Sequence, residues 1–224
     1  MKKTISLLFV LFSIAISAQS VIISKMQEIV SNKDKHLYVI EDTQNAQYLG
    51  ELEIGGFSKE DVQTFDAVYK KAKQLGANAF KLRPIEEVDG TLKAFDPNHY
   101  FLSLYYLPSN QQVEEKNVAY LIGSSSKDLT LKINDQKIIL PARSFKKLKL
   151  EPGTIYDIAA KRFLGSNIKL QASENQKAIY LQVSGFKVKA NPYGEAGINL
   201  KTGDLMRVEN SFGMFLTTIY QEVQ

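Results

Sequence analysis

The feature that most limits the fold is a change of rhythm along the chain. Between Ser58 and Gly76, apolar residues recur at three- and four-residue steps, at Val62, Phe65, Tyr69, Ala72 and Leu75, the spacing of one helix face. Lys59, Gln63, Lys70 and Lys73 fall on the opposite face. From Val118 onward no helical period stands out, and short β-like runs alternate with turn residues. One helix laid on strands, followed by strands alone, predicts an α+β chain: an N-terminal ββαββ domain with one helix on a small mixed sheet, then an all-β sandwich-like domain.

Local signals fill in this frame. Ser58 is placed to cap the helix, with Asp61 three residues on in a near-capping box and Phe57 set to staple onto Val62. Gly76 ends it, because a residue without Cβ takes the left-handed conformation at low cost. Strands are expected at His36 to Ile40, Gln47 to Ile54, Asn78 to Leu82 and Tyr100 to Leu107. The strand, helix, strand order implies a crossover between parallel strands. The polar stretch over residues 108–117 reads as a linker between domains at 19–107 and 118–224. Beyond it, runs at 118–122, 129–133, 137–140, 145–150, 155–159, 168–172, 178–183, 205–208 and 214–220 read as strands. Asn134 and Asp135 mark a tight hairpin, Glu151 to Gly153 a turn, and Asn191 to Gly194 a loop.

The first residues set the compartment. Lys2 and Lys3, the apolar stretch from Ile5 to Ile16, and the small residues Ser17 and Ala18 form a cleavable signal peptide over 1–18, leaving Gln19 as the first mature residue. The apolar stretch is shorter than the roughly 20 residues of a membrane-spanning helix, so no stable span is expected after cleavage. The chain has no cysteine, which excludes disulfides, thiolate metal sites, cysteine nucleophiles and lipid attachment at a cysteine. Its stability then rests on burial, for which 44% hydrophobic residues suffice.

Function classes are narrowed by what the residues lack. The net charge is +4, and the densest basic group, Lys146, Lys147 and Lys149, is too short for a nucleic-acid face and reads as lysines guarding a strand edge. His36 and His99 are the only histidines and stand in no metal-ligand spacing, so no metal and no cofactor is expected. No GxSxG or phosphate-binding glycine pattern occurs. Two local groups remain. Glu86, Glu87 and Asp89, with Asp96 beyond, are the best carboxylate cluster for cofactor-free glycoside cleavage, although adjacent acids in a polar loop are ordinarily solvated. Tyr100, Tyr105 and Tyr106, with Phe101, place rings on both faces of one strand, and any exposed ones could stack on sugars or peptides.

The stretch from Tyr48 to Leu82 carries a resemblance. Gly50 and Gly55 before the helix, and Ala72, Leu75, Gly76, Ala77, Asn78 and Ala79 at its end, resemble the small exported βαβ domains of bacterial envelope proteins, including the Rcs-type outer-membrane stress-sensor lipoproteins. The lipid-bearing and disulfide cysteines of that family have no counterpart here, so neither signalling nor lipidation carries over. The stretch from Leu129 to Lys161 resembles the small β-sandwich domains of lipoprotein-like families of unknown function. These likenesses imply a fold and an envelope setting. The resulting expectation is a non-catalytic binding module, exported across the inner membrane of a Gram-negative bacterium to the periplasm, outer surface or medium, with an envelope protein or a glycan as partner. A hydrolase acting on a glycan or cell-wall substrate through Glu86, Glu87 and Asp89 is the alternative.

Overall fold

The computed structural model describes residues 20–56, 60–108, 111, 115–160, 167–183 and 205–223. The expected signal peptide, Phe57, Ser58 and the loop at Asn191 to Gly194 lie outside them. The chain is α+β, and among the described residues its strands form three sheets.

The first sheet contains β1 (Ser20–Met26), β2 (Tyr38–Val39), β3 (Gln47–Gly55), β4 (Ala79–Arg83) and β5 (His99–Tyr106), in the order β1-β3-β5-β4-β2. Its helix α1 (Asp61–Leu75) connects β3 to β4. Those two strands run parallel, as the crossover predicts, but they are not neighbours: β5 lies between them and pairs antiparallel with both. One face of the sheet is apolar, through Leu52 and Ile54 of β3 and Tyr100, Leu102 and Leu104 of β5, and all five are buried.

Glu60 stands at the N-cap position of α1 and makes no side-chain cap hydrogen bond. The helix therefore begins at Asp61, and its buried stripe is Asp61, Thr64, Phe65, Val68, Ala72 and Leu75. Val62, expected in that stripe, is 47% exposed. Val62 lies on the flank of that stripe, about 60° round the helix from Phe65 and about 120° from Val68, so the core contact leaves it outside. Gly76 closes the helix at φ 79°, and a Cβ there would meet the carbonyl oxygen of Val30 at 1.9 Å.

After residue 117 come two more sheets. One holds β7 (Leu129–Ile133), β8 (Gln136–Leu140), β10 (Ile155–Ala160) and β11 (Asn167–Gln171), in the order β11-β10-β7-β8. The other holds β6 (Val118–Ile122), β9 (Ser144–Lys149), β12 (Ile179–Val183), β13 (Leu205–Arg207) and β14 (Gln221–Glu222), in the order β13-β12-β6-β9-β14. The hairpin between β7 and β8 turns at Asn134 and Asp135, both at positive φ (47° and 66°), as that pair predicts.

Period-two alternation sends the two faces of the β6 sheet to different cores. Leu121 of β6 and Ile179, Leu181 and Val183 of β12 pack with Leu131, Ile133, Leu140 and Ile158 of the four-stranded sheet, the filling of a sandwich. Val118, Tyr120 and Ile122 of β6, with Tyr180 of β12, point the other way and join the core that contains Phe65 and Leu102. All five residues of β6 are buried because both faces are covered.

The cover on that second face corrects a sequence expectation. Of residues 214–220, read as a closing strand, all but the C-cap Tyr220 belong to a helix, α2 (Asn210–Ile219). Its N-cap Glu209 accepts hydrogen bonds from the backbone N–H of Ser211 (2.8 Å) and Phe212 (3.0 Å). Phe212, Phe215, Leu216 and Ile219 then recur at helical spacing and are buried. Phe65 of α1 lies 5.3 Å, centroid to centroid, from both Phe212 and Phe215. The core on either side of residues 108–117 is thus continuous through α2.

Gly213 marks how closely α2 lies on the sheet, since a Cβ there would stand 2.2 Å from Cγ of Tyr180. Alanine in a helix ordinarily gains about 1 kcal/mol over glycine, but forced overpacking costs about 1–3 kcal/mol. Gly213→Ala is therefore expected to lower the urea midpoint, with a net loss of up to about 2 kcal/mol. A gain in stability would show that α2 does not rest on Tyr180.

Candidate functional site

A cleft of about 1030 Å³ lies where the two five-stranded sheets approach each other. Residues 38–42 and Lys81, Leu82 and Pro84 of the first sheet form one wall. Tyr120, Phe145, Lys147, Tyr180 and Glu222 of the second sheet form another, and Met214, Thr217 and Thr218 of α2 lie between them. The volume is that of a small-molecule or peptide site. Its placement follows from α2, whose buried residues hold the sheets together while Met214, Thr217 and Thr218 remain toward the opening.

Several polar groups of the cleft are engaged within the chain. Lys147 Nζ donates to Glu115 Oε1 at 2.7 Å, and the Tyr120 hydroxyl donates to Glu115 Oε2. Burial pushes the Glu115 carboxyl up, but these two hydrogen bonds and the Lys147 charge outweigh it and hold it below the usual range. Burial and the adjoining Glu115 carboxylate push the Tyr120 hydroxyl up, so it stays a protonated donor. The Tyr120 and Tyr180 rings stack at 4.9 Å and 5°. Lys81 Nζ donates to the Glu41 carbonyl at 2.6 Å, and the Thr217 and Thr218 hydroxyls donate back into α2 at the Met214 carbonyl (3.0 and 2.8 Å). The result is an open cleft whose lining mixes apolar residues such as Ile40, Leu82, Phe145 and Met214 with charged and polar ones.

The residues singled out from sequence stand elsewhere. Tyr100 points into the core at 2% exposure, and burial pushes its hydroxyl up. Tyr105, paired across the strands with Tyr48, packs edge-on against that ring at 5.6 Å. Tyr106 is half-buried against the main core. Alternation along β5 sends Tyr105 to the face opposite Tyr100 and Tyr106, so the three do not converge, and none of them lines the cleft.

Glu86, Glu87 and Asp89 lie on an exposed hairpin, bridged at Glu86 and Leu92 and turned at Gly90. Asp89 Oδ1 accepts from the Thr91 hydroxyl (2.7 Å) and backbone N–H (3.0 Å), which lowers its carboxyl below the usual value and makes it a turn former. None of the three acids lines the cleft. His99 Nε2 meets Glu53 Oε1 at 2.8 Å on the sheet surface. Lys146, Lys147 and Lys149 lie on β9 beyond Ser144 and Phe145, the two residues that β14 pairs with, so among the described residues this part of β9 has a strand, β6, on one side only, as lysines at a strand edge predict. The lysine run also supplies Lys147 to the cleft.

Among the described residues no cluster of three His, Cys, Asp or Glu is placed to hold a metal, and no helix is long and apolar enough to cross a membrane. Comparison with protein-family models, with curated proteins and with solved structures gives no match. The cleft therefore has to be read from its own chemistry.

A second polar cluster ties α1 to the C-terminal strands. Asp61 Oδ2 accepts from the Tyr220 hydroxyl at 2.6 Å, Arg143 Nη1 stands 3.4 Å from Asp61 Oδ1, and the guanidinium lies 4.8 Å from the centre of the Tyr220 ring. Burial pushes the Asp61 carboxyl above its usual value, with Tyr220 and Arg143 pulling against it. A raised carboxyl pKa means that the folded chain holds a proton the unfolded chain has released, so this group favours folding more as pH falls through that window. Urea titrations of wild type and Asp61→Asn should show the wild type gaining relative stability on acidification below neutral pH. A difference that is flat or opposite in slope would contradict the burial of this charge.

Proposed function

We propose that this chain is an exported, non-catalytic binding module of the bacterial envelope, and that the cleft between its two five-stranded sheets is its recognition site. The observation that carries the reading is the hollow itself: about 1030 Å³, walled by two sheets, with its lysine, glutamate and tyrosine groups engaged with one another. A site built for acid–base chemistry presents an acid or base within hydrogen-bond reach of a reacting atom, whereas the Glu115 carboxylate is taken by Lys147 and Tyr120. A binding site needs shape, apolar area and a few fixed polar groups, and this cleft has those.

Export rests on the N-terminal sequence. Cleavage after Ala18 would leave β1, which begins at Ser20, whole and free to pair with β3. The likeness of residues 48–82 to exported envelope domains supports the same setting. The hydrolase alternative draws no support from the geometry, because its carboxylates serve a turn and an exposed hairpin.

Two measurements test this reading. Expressed with its leader in a Gram-negative host, the chain should be recovered outside the cytoplasm with Gln19 at its N-terminus; cytoplasmic retention of the full-length form would remove the export claim. The mature protein should be screened by thermal shift against chito-oligosaccharides, peptidoglycan fragments and random linear peptides. At least one class should raise the melting temperature, and Met214→Arg, which places a long charged side chain at the cleft, should abolish that rise. Shifts that survive Met214→Arg would place binding elsewhere, and no shift from any class would count against a binding role.

A further inference from the structure

Two open strand edges meet the cleft. β2 ends the first sheet and β14 ends the second, and each is joined to its one neighbour in parallel. Parallel pairing fixes which backbone groups turn inward. Tyr38 N–H donates to the Asn78 carbonyl (2.8 Å) and Ile40 N–H to the Phe80 carbonyl (3.0 Å), so the N–H groups of Leu37 and Val39 face away from β4. Leu37 N–H is taken by Ser211 Oγ of α2 at 3.0 Å. Val39 lies on the cleft wall, and among the described residues nothing accepts from its N–H.

The same reasoning applies to β14. Gln221 N–H donates to the Arg143 carbonyl (3.0 Å) and Val223 N–H to the Phe145 carbonyl (2.8 Å), which turns the backbone groups of Glu222 away from β9. Glu222 also lines the cleft. The cleft is therefore lined by one residue on each of these strands, Val39 and Glu222, whose backbone N–H and C=O turn away from the neighbouring strand, and what complements such outward groups is another extended backbone.

Other ligand chemistries fit less well. Sugars bind on exposed aromatic faces, but of the rings lining the cleft Tyr120, Phe145 and Tyr180 are only 9%, 6% and 4% exposed, which leaves the half-buried Tyr38. A polyanion needs uncommitted cations, whereas Lys147 is paired with Glu115 and Lys81 with the Glu41 carbonyl. Ile40, Leu82, Ala178 and Met214 are placed to receive apolar side chains.

Building on the reading of the cleft as a binding site, we infer that its ligand is an extended polypeptide segment that adds a strand to the open edge of β2 at Val39. Main-chain hydrogen bonds supply affinity, and the apolar lining selects alternate side chains of the segment.

The test begins with a displayed library of random linear peptides of about twelve residues, panned against the mature protein. The tightest binder is then synthesised as a series carrying one N-methylated amide at a time. Removing a strand-pairing N–H should weaken binding about tenfold, the cost of a lost hydrogen bond, at alternate positions only. Hydrogen exchange of the Val39 amide should slow on binding. Val39→Pro removes that outward N–H without touching the bonds to β4, and should weaken binding by a similar factor beyond the effect of Val39→Ala, which loses the same core packing but keeps the N–H.

Failure to select any peptide, N-methylation effects without alternation, or unchanged exchange at Val39 would each overturn the inference, and the last two use the unaltered protein. If instead a glycan fragment binds and Met214→Arg abolishes it, the peptide inference falls and the cleft reading stands. If no ligand of any class is sensitive to Met214→Arg, both fall.

Discussion

The burial of α2 on two sides at once is the interaction on which the other features depend. A single amphipathic face would let the helix sit on one sheet only. Here Phe212 and Phe215 meet Phe65 of α1, while Gly213 brings the helix backbone against Tyr180 of β12. Each large apolar side chain removed from water contributes about 2 kcal/mol, and those of α2 are removed by partners drawn from both parts of the chain. The cap adds direction. Glu209 binds the first turn of α2, and Ser211 of that turn accepts from Leu37 N–H beside β2. The walls of the cleft are held apart and in register by this joint.

Buried polar groups reinforce it at chosen points. Lys73 Nζ donates to the carbonyls of Asp34 (2.8 Å), His36 (2.6 Å) and Ala77 (3.0 Å), which uses all three ammonium protons and binds the segment leading into β2 to the end of α1. Burial draws its pKa down to about 8, against the opposing pull of Asp34 and Glu209. Asp61, Arg143 and Tyr220 do the same between the start of α1 and β14. Buried ion pairs give little net stability, but an alternative packing would leave their members uncompensated, so they favour one arrangement of the halves over others.

How much of this could be read from the sequence depends on the range of the signal. The body and stop of α1, the central strands and the Asn134–Asp135 hairpin were legible because period, αL-tolerant residues and turn chemistry act within a few positions. The start of α1 was misplaced. Asp61, which resembled half of a capping box, is committed to Tyr220 in the distant C-terminal segment. Helix α2 was missed because Gly213, Thr217 and Thr218 weaken its helical propensity, although Phe212, Phe215, Leu216 and Ile219 carried the right spacing.

The site was less legible than the fold. Its lining comes from β2, β4, β6, β9, β12, α2 and β14, brought together only by tertiary packing. Tyr120 and Lys147 stood in expected strands but carried no local mark of a site, whereas the conspicuous groups, the aromatic run of β5 and the acidic loop, serve the core, the sheet surface and a turn. The claim that most needs testing is that one body, joined through α2, builds the cleft. Native-state hydrogen exchange in rising denaturant, followed at the amides of β5 and β12, tests it directly. The two sets should converge on a single global opening with one free energy and one denaturant dependence; if β5 and β12 instead open in separate steps, the halves are independent and the cleft between them is not a built site.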